Sequence, residues 1–175
     1  SGSFTFAGTI IGQSAAELLP AITLDMTVTD GRFGYPSLPG EVSDLAVDLS
    51  LASPAGPTLD DLAVDIRTLT GVMLDQPFSG RLTVTDTQTD PLIDLALKLN
   101  LDLSRLGELV PLSSDESYTG QLSADIALAG RASAASEGRY ADFSASGPVT
   151  LTDVRYESPD FPHPLDIGRA DLALT

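Results

Sequence analysis

The chain has 175 residues, 25 acids against 9 bases for a formal net charge of −16, 42% hydrophobic residues and no cysteine. That length holds one domain with enough apolar material for a core, which excludes disorder as a description of the whole chain. The charge repels phosphate backbones and anionic membrane surfaces, so nucleic acid is not expected as a partner, and the lack of cysteine removes disulfides, thiolate nucleophiles and cysteine metal sites. Ser1-Gly2-Ser3 reads as an expression scar, leaving 4–175 as a single β-rich segment. Phe4-Thr5-Phe6 already alternates, and Ser14 to Leu19 predicts a short helical piece. Next, Ile22, Leu24, Met26 and Val28 alternate with Thr23, Asp25, Thr27 and Thr29, and Asp30-Gly31 reads as a tight turn. Tyr35-Pro36-Ser37-Leu38-Pro39-Gly40 predicts a rigid loop. Leu45, Val47, Leu49 and Leu51 form the next one-sided run, and Leu62, Val64 and Ile66 another after the loop Ser53-Pro54-Ala55-Gly56-Pro57. Leu82 and Val84 follow. The longest run is Ile93, Leu95, Leu97, Leu99, Leu101 and Leu103 against Asp94, Ala96, Lys98, Asn100 and Asp102.

Ser104 to Val110 predicts a second helical piece, with Ser104 as its cap and Pro111 as its stop. Leu122, Ala124, Ile126 and Leu128 resume the alternation, Ser133 to Tyr140 reads as a short turn or loop, and Phe143, Ala145, Val149 and Leu151 lead on to Leu165, Ile167, Leu172 and Leu174. Alternation that is still running at Thr175 predicts a segment excised from a longer polypeptide, with any membrane anchor outside it. No run of about 18 apolar residues is present to cross a membrane as a helix.

Strands with one apolar and one wet face are the pattern of an antiparallel sheet with one side in water. Two mainly β architectures satisfy it. One is a curved antiparallel sheet whose apolar side forms an open groove, with one or two short helices at its edge or mouth. The other is a two-sheet β-sandwich in which the apolar faces cover each other. Asp44-Leu45-Ala46-Val47-Asp48-Leu49 recurs as Asp61-Leu62-Ala63-Val64-Asp65-Ile66, either as convergence of amphipathic strands or as a repeating strand unit. The abundance of aspartate beside a single lysine, Lys98, fits a salt-adapted protein as well as a merely acidic one.

No catalytic constellation appears, and the expectation is a protein without enzymatic activity, cofactor or metal. His163, the one histidine, sits between Pro162 and Pro164, where it reads as an exposed loop residue. With no cysteine and one histidine, a structural zinc site has no ligand set. There is no Gly-x-Ser-x-Gly elbow and no glycine-rich phosphate loop. The paired acids Asp60-Asp61 and Asp115-Glu116 read as solvated surface groups, and Asp86 with Asp90 lacks the glycine and terminal glutamate of a calcium loop.

The stretch Asp30-Gly31-Arg32-Phe33-Gly34-Tyr35-Pro36-Ser37-Leu38-Pro39, followed by Val42-Ser43-Asp44-Leu45, resembles the AsmA-like proteins of Gram-negative bacteria, in particular the Bacteroidetes type. The segment Leu101 to Leu112, then Tyr118 to Leu122, resembles that family's short helix and returning strand, and so does Arg139 to Tyr156. The resemblance covers most of 30–175 through strand and turn patterns. It implies a segment of an inner-membrane-anchored protein that extends into the periplasm, belongs to the repeating β-groove type, and is linked to lipid movement between membranes and to outer-membrane assembly. It carries over no catalytic residue. The expected function is a module that shields or conducts lipid acyl chains. The rival is a structural spacer or protein-interaction sandwich that supports the assembly of outer-membrane proteins. The groove candidates are Leu24, Met26, Val47, Leu49, Leu62, Val64, Leu95, Leu97, Leu99, Ile126 and Leu128.

Overall fold

The computed structural model describes residues 2–13, 18–34, 40–56, 58–59, 61–113, 115–139, 142–161 and 163–175, with the side chain of 135 left aside. It is 70% strand. Among the described residues nine strands follow one another: β1 (Ser3–Ile11), β2 (Ala21–Gly34), β3 (Glu41–Ser53), β4 (Ala63–Met73), β5 (Gln76–Thr85), β6 (Leu92–Asp102), β7 (Ser117–Arg131), β8 (Phe143–Glu157) and β9 (Leu165–Leu174). They form one antiparallel sheet in sequence order, an unbroken meander that does not close into a barrel. All nine strands belong to that sheet, so the two-sheet sandwich is not the architecture. A 3₁₀ helix (Leu103–Glu108) and a short helix α1 (Ala132–Ser136) are the only helical pieces among the described residues.

Register carries the alternation of each strand onto its neighbour, because a side-chain period of two puts directly opposed residues on the same face. One row of opposed residues runs Phe6, Met26, Leu49, Ile66, Leu82, Leu95, Leu128, Ala145 across eight strands. A second runs Phe78, Leu99, Ala124, Val149, Leu172. The opposite face receives rows such as Ser50, Asp65, Thr83, Asp94.

Where the alternation would slip, an extra residue absorbs it. Asp30, Asp44 and Asp153 adopt φ of 51°, 49° and 50° beside register shifts or in line with them. Asp30-Gly31 is therefore a bulge inside β2, not the tight turn that its sequence predicts. The pair tolerates positive φ at either residue, and such bulges add bend and right-handed twist to a sheet. The true hairpin between β4 and β5 turns on Leu74 and Asp75, with φ of 51° and 62°, the sign at both central positions that a type I′ turn requires.

Other expectations meet different outcomes. Ser14–Ala16 and Glu17 of the first helical piece lie outside the described residues, while Leu19 bridges to Gly56. Tyr35–Pro39 and Tyr140 also lie outside them. The second helical piece is a 3₁₀ helix capped by Asp102, not Ser104. With φ −81° and ψ 109°, Asp102 is still extended, and its carboxylate accepts the Ser104 N–H at 3.0 Å and the hydroxyl at 2.7 Å.

Little of the molecule is fully covered. The accessible surface is 10839 Å², where a compact monomer of this mass exposes about 8,100 Å². The buried apolar residues are Leu74, Leu101, Ala124, Ala134 and Val154, and no large side chain is completely enclosed among the described residues. Each strand packs against its sequence neighbours, so burial comes from lateral contact along the sheet.

The apolar face as candidate functional site

Ten of the eleven groove candidates lie in strands, on the same side of the sheet. Leu24 and Met26 belong to β2, Val47 and Leu49 to β3, Val64 to β4, Leu95, Leu97 and Leu99 to β6, and Ile126 and Leu128 to β7. Direct opposition joins them: Leu24 and Val64 flank Leu51, Met26 faces Leu49, and Leu95, Leu97 and Leu99 face Leu128, Ile126 and Ala124. Leu62 is the exception. It sits in the turn before β4, where its N–H donates to the Leu59 carbonyl at 2.9 Å. All eleven are half-buried, which for an uncovered sheet reflects neighbours crowding along the face.

The candidate set omits residues that the register makes equal members. Ile22, Val28, Leu51, Ile66, Leu69, Leu82, Ile93, Leu122, Val149 and Leu151 fill the same rows. Alternation identifies them individually, but only pairing shows that their strands are adjacent and in phase. Two glycines on this side lie beneath rings. A Cβ at Gly71 would come within 2.8 Å of the Phe78 ring, and one at Gly130 within 2.6 Å of the Phe143 ring. An aromatic ring laid across a strand glycine covers backbone that the glycine leaves bare.

Both ends of the face are tied down next to β6. The 3₁₀ helix contacts β6 and β7 and reaches the β4–β5 turn at Asp75 and the residue before β3 at Gly40. Gly40 donates its N–H to the Glu108 carbonyl at 2.9 Å, and Arg105 reaches Asp75 at 2.7 Å and Glu108 at 2.6 Å. Those two carboxylates raise the Arg105 pKa, and the guanidinium in turn lowers that of Glu108. At the other end α1 is held by Asp90, which accepts the Ser133 N–H at 3.0 Å and its hydroxyl at 2.8 Å, bonds that lower the Asp90 pKa.

Asp86 pairs with Arg131 at 2.9 Å and Asp90 caps α1, so the two acids weighed for calcium serve the β5–β6 connection. Glu116 accepts from the Tyr156 hydroxyl at 3.3 Å, Asp60 lies outside the described residues, and His163 is exposed. Among the described residues no three His, Cys, Asp or Glu side chains gather closely enough to hold a metal ion.

The basic residues are the most informative part of the electrostatics. All nine are in ion pairs: Arg32 with Glu41, Arg67 with Asp48 and Asp25, Arg81 with Asp94, Lys98 with Asp125, Arg105 with Asp75 and Glu108, Arg131 with Asp86, Arg139 with Glu137 and Asp142, Arg155 with Glu157 and Asp166, and Arg169 with Asp171. Hydrogen bonding from Arg67 lowers the Asp48 pKa, and from Arg169 that of Asp171. An open hollow of about 440 Å³ lies beside Lys98, Ser79, Thr70 and Asn100 on the polar side, where Asp125 already engages the lysine at 3.0 Å. No protein-family model, curated protein or solved structure matches the chain.

Proposed function

We propose that the apolar face holds lipid acyl chains and that the chain acts without catalysis, as a segment of an AsmA-like protein of the Gram-negative envelope. The single observation that carries this reading is the run of aliphatic rows across the whole sheet with no second sheet over them among the described residues. Nine strands spaced about 4.8 Å apart give a surface roughly 38 Å across, and a ten-residue strand is roughly 33 Å long. A methylene removed from water contributes about 0.8 kcal/mol, so ten methylenes half covered contribute on the order of 4 kcal/mol. That supports reversible holding, which suits a conduit. With every base already paired, phosphate finds no free cation, and selectivity should follow chain length instead of headgroup. Under this reading the protein stands on the periplasmic side of the inner membrane, anchored outside this segment, and its protein partners are outer-membrane assembly factors.

The test is a photo-crosslinking residue at Leu97 or Ile126, with Lys98 as the control on the opposite face. Phospholipid captured at the two apolar positions but not at Lys98 is the expected outcome. Capture at neither apolar position, or equal capture at Lys98, overturns it.

A further inference from the structure

We propose that Tyr118, Tyr156 and Glu116 form a subsite at one rim of the apolar face that takes the ammonium end of an amphiphile. The inference rests on the lipid reading and qualifies it, because phosphate still finds no partner on the face while a cation does. Across β6 to β9 the register places leucine, isoleucine, valine, alanine, phenylalanine and glycine on this face. Among the described residues of these four strands, only Tyr118 and Tyr156 bring a polar side-chain atom to it. The two tyrosines are directly opposed, and their rings stack with centroids 4.7 Å apart and 25° between planes. Phe161 meets the Tyr156 ring edge-on at 6.0 Å. Tyrosine joins an apolar body to a polar tip, so the rings continue the face and the hydroxyls end it. The pair lies on β7 and β8, each with a strand on both sides, and owes nothing to an edge of the sheet.

The direction of the hydrogen bonds decides what can bind. The Tyr156 hydroxyl donates to Glu116 at 3.3 Å, and the Ser113 N–H donates to the other carboxylate oxygen at 3.4 Å. Hydrogen bonding to the Tyr156 hydroxyl raises the Tyr118 pKa, and the Glu116 charge raises it further. Both phenolic protons are thus spent along a chain that ends on a carboxylate, and what the cluster still offers is lone pairs. A phosphate or an ester carbonyl would need donors that the cluster has already used. An ammonium group brings three of its own. It also matches in charge, because none of the nine bases pairs with Glu116 among the described residues; other acids engage them all. Phe161 is 58% exposed and presents an open ring, whose face attracts a cation. With the ammonium group at this rim, an alkyl chain runs along the strands over the opposed pairs Leu122 with Leu151 and Ala124 with Val149.

Displacement of Nile red, an uncharged dye that fluoresces on apolar surfaces, tests the subsite at equal chain length. The competitors are decylammonium and 1-decanol at neutral pH, below micellar concentration. Decylammonium should displace the dye at a concentration about tenfold lower than decanol. Glu116→Gln keeps the shape, removes the charge, and should bring the two competitors within about twofold of each other. Asp25→Asn removes one acid from the polar side of β2 and should leave the preference as it is in the parent chain. Equal displacement by both competitors would overturn the subsite and leave the lipid reading standing. A preference that Asp25→Asn reduces as much as Glu116→Gln would overturn it in favour of net charge. Failure of the dye to bind, or of both competitors to displace it, would overturn the subsite and the lipid reading together.

Discussion

Leu97 and Lys98 are chain neighbours with opposite surroundings. Leu97 lies opposite Gly80 on one side and Ile126 on the other, and its side chain covers the space that Gly80 leaves empty. A carboxylate placed there would lose water without gaining a partner, and Leu97→Asp should destabilise by about 2 kcal/mol or more. Lys98 is 67% exposed, and its pair with Asp125 belongs to the surface class that contributes about 0–1 kcal/mol. Lys98→Asp loses that pair and puts two carboxylates opposite each other, a further penalty of about 0.2–1 kcal/mol. Urea unfolding of the two variants measures the difference, and equal midpoints would mean that the facing of β6 is inverted. The aspartates have a second role at this scale. Five of the six non-glycine residues with positive φ among the described residues are Asp30, Asp44, Asp75, Asp86 and Asp153. Aspartate tolerates that conformation better than most side chains. Part of the acidity is thus backbone chemistry, independent of any adaptation to salt.

At the level of elements, the bulges hold the faces in phase, and glycine makes one of them possible. Gly120 has φ of 104°, and a Cβ there would come within 2.5 Å of the Asp153 carbonyl oxygen, itself on the bulged residue of β8. Backbone cannot move aside as a flexible side chain can, so Gly120→Ala should destabilise by at least about 2 kcal/mol. Gly168→Ala on β9, with nothing within 4 Å of its Cβ, should stay within about 0.5 kcal/mol of the parent chain. Thermal unfolding of the pair checks both, and parity between them would remove the bulge as a constraint. These details mark the boundary of what alternation reveals. The one-sided runs from Ile22 to Leu174 became strands with the expected facing, because facing depends only on a period of two. Pairing order and register depend on the connections, and these were harder to read. Asp30-Gly31 carries the residues of a hairpin turn yet sits inside β2, while Leu74-Asp75 makes the real turn without glycine or asparagine. Leu62 lies just outside β4 for a related reason, since its turn to Leu59 delays the start of the strand by one residue. The face is legible residue by residue, but its continuity is a property of the register.

For the molecule as a whole, two electrostatic effects respond to salt in opposite directions. Salt weakens exposed ion pairs, and all nine bases are engaged in such pairs. Salt also screens the mutual repulsion of the acids, which outnumber the bases by 16. The pairs are few and surface-exposed, so each contributes little. The excess charge is spread over a sheet so thin that carboxylates at strand ends, at turns and across the polar side all act on one another within a few screening lengths. At about 0.01 M ionic strength the screening length is about 30 Å, comparable to the length of a strand, and at about 1 M it is about 3 Å, shorter than the spacing between neighbouring strands. Repulsion therefore has more to lose from salt than the pairs do. The thermal midpoint should rise between these two conditions in sodium chloride, and most of the rise should come at the low end, where the screening length changes fastest. Removing acids should mimic salt: a variant with Asp25→Asn and Asp94→Asn should begin at a higher midpoint in low salt and gain less on salt addition, although each change also strips a carboxylate from Arg67 or Arg81. Differential scanning fluorimetry at low protein concentration provides the comparison. A midpoint that falls as salt is added would mean that the ion pairs across the polar side, not the repulsion, set the electrostatic balance of the sheet.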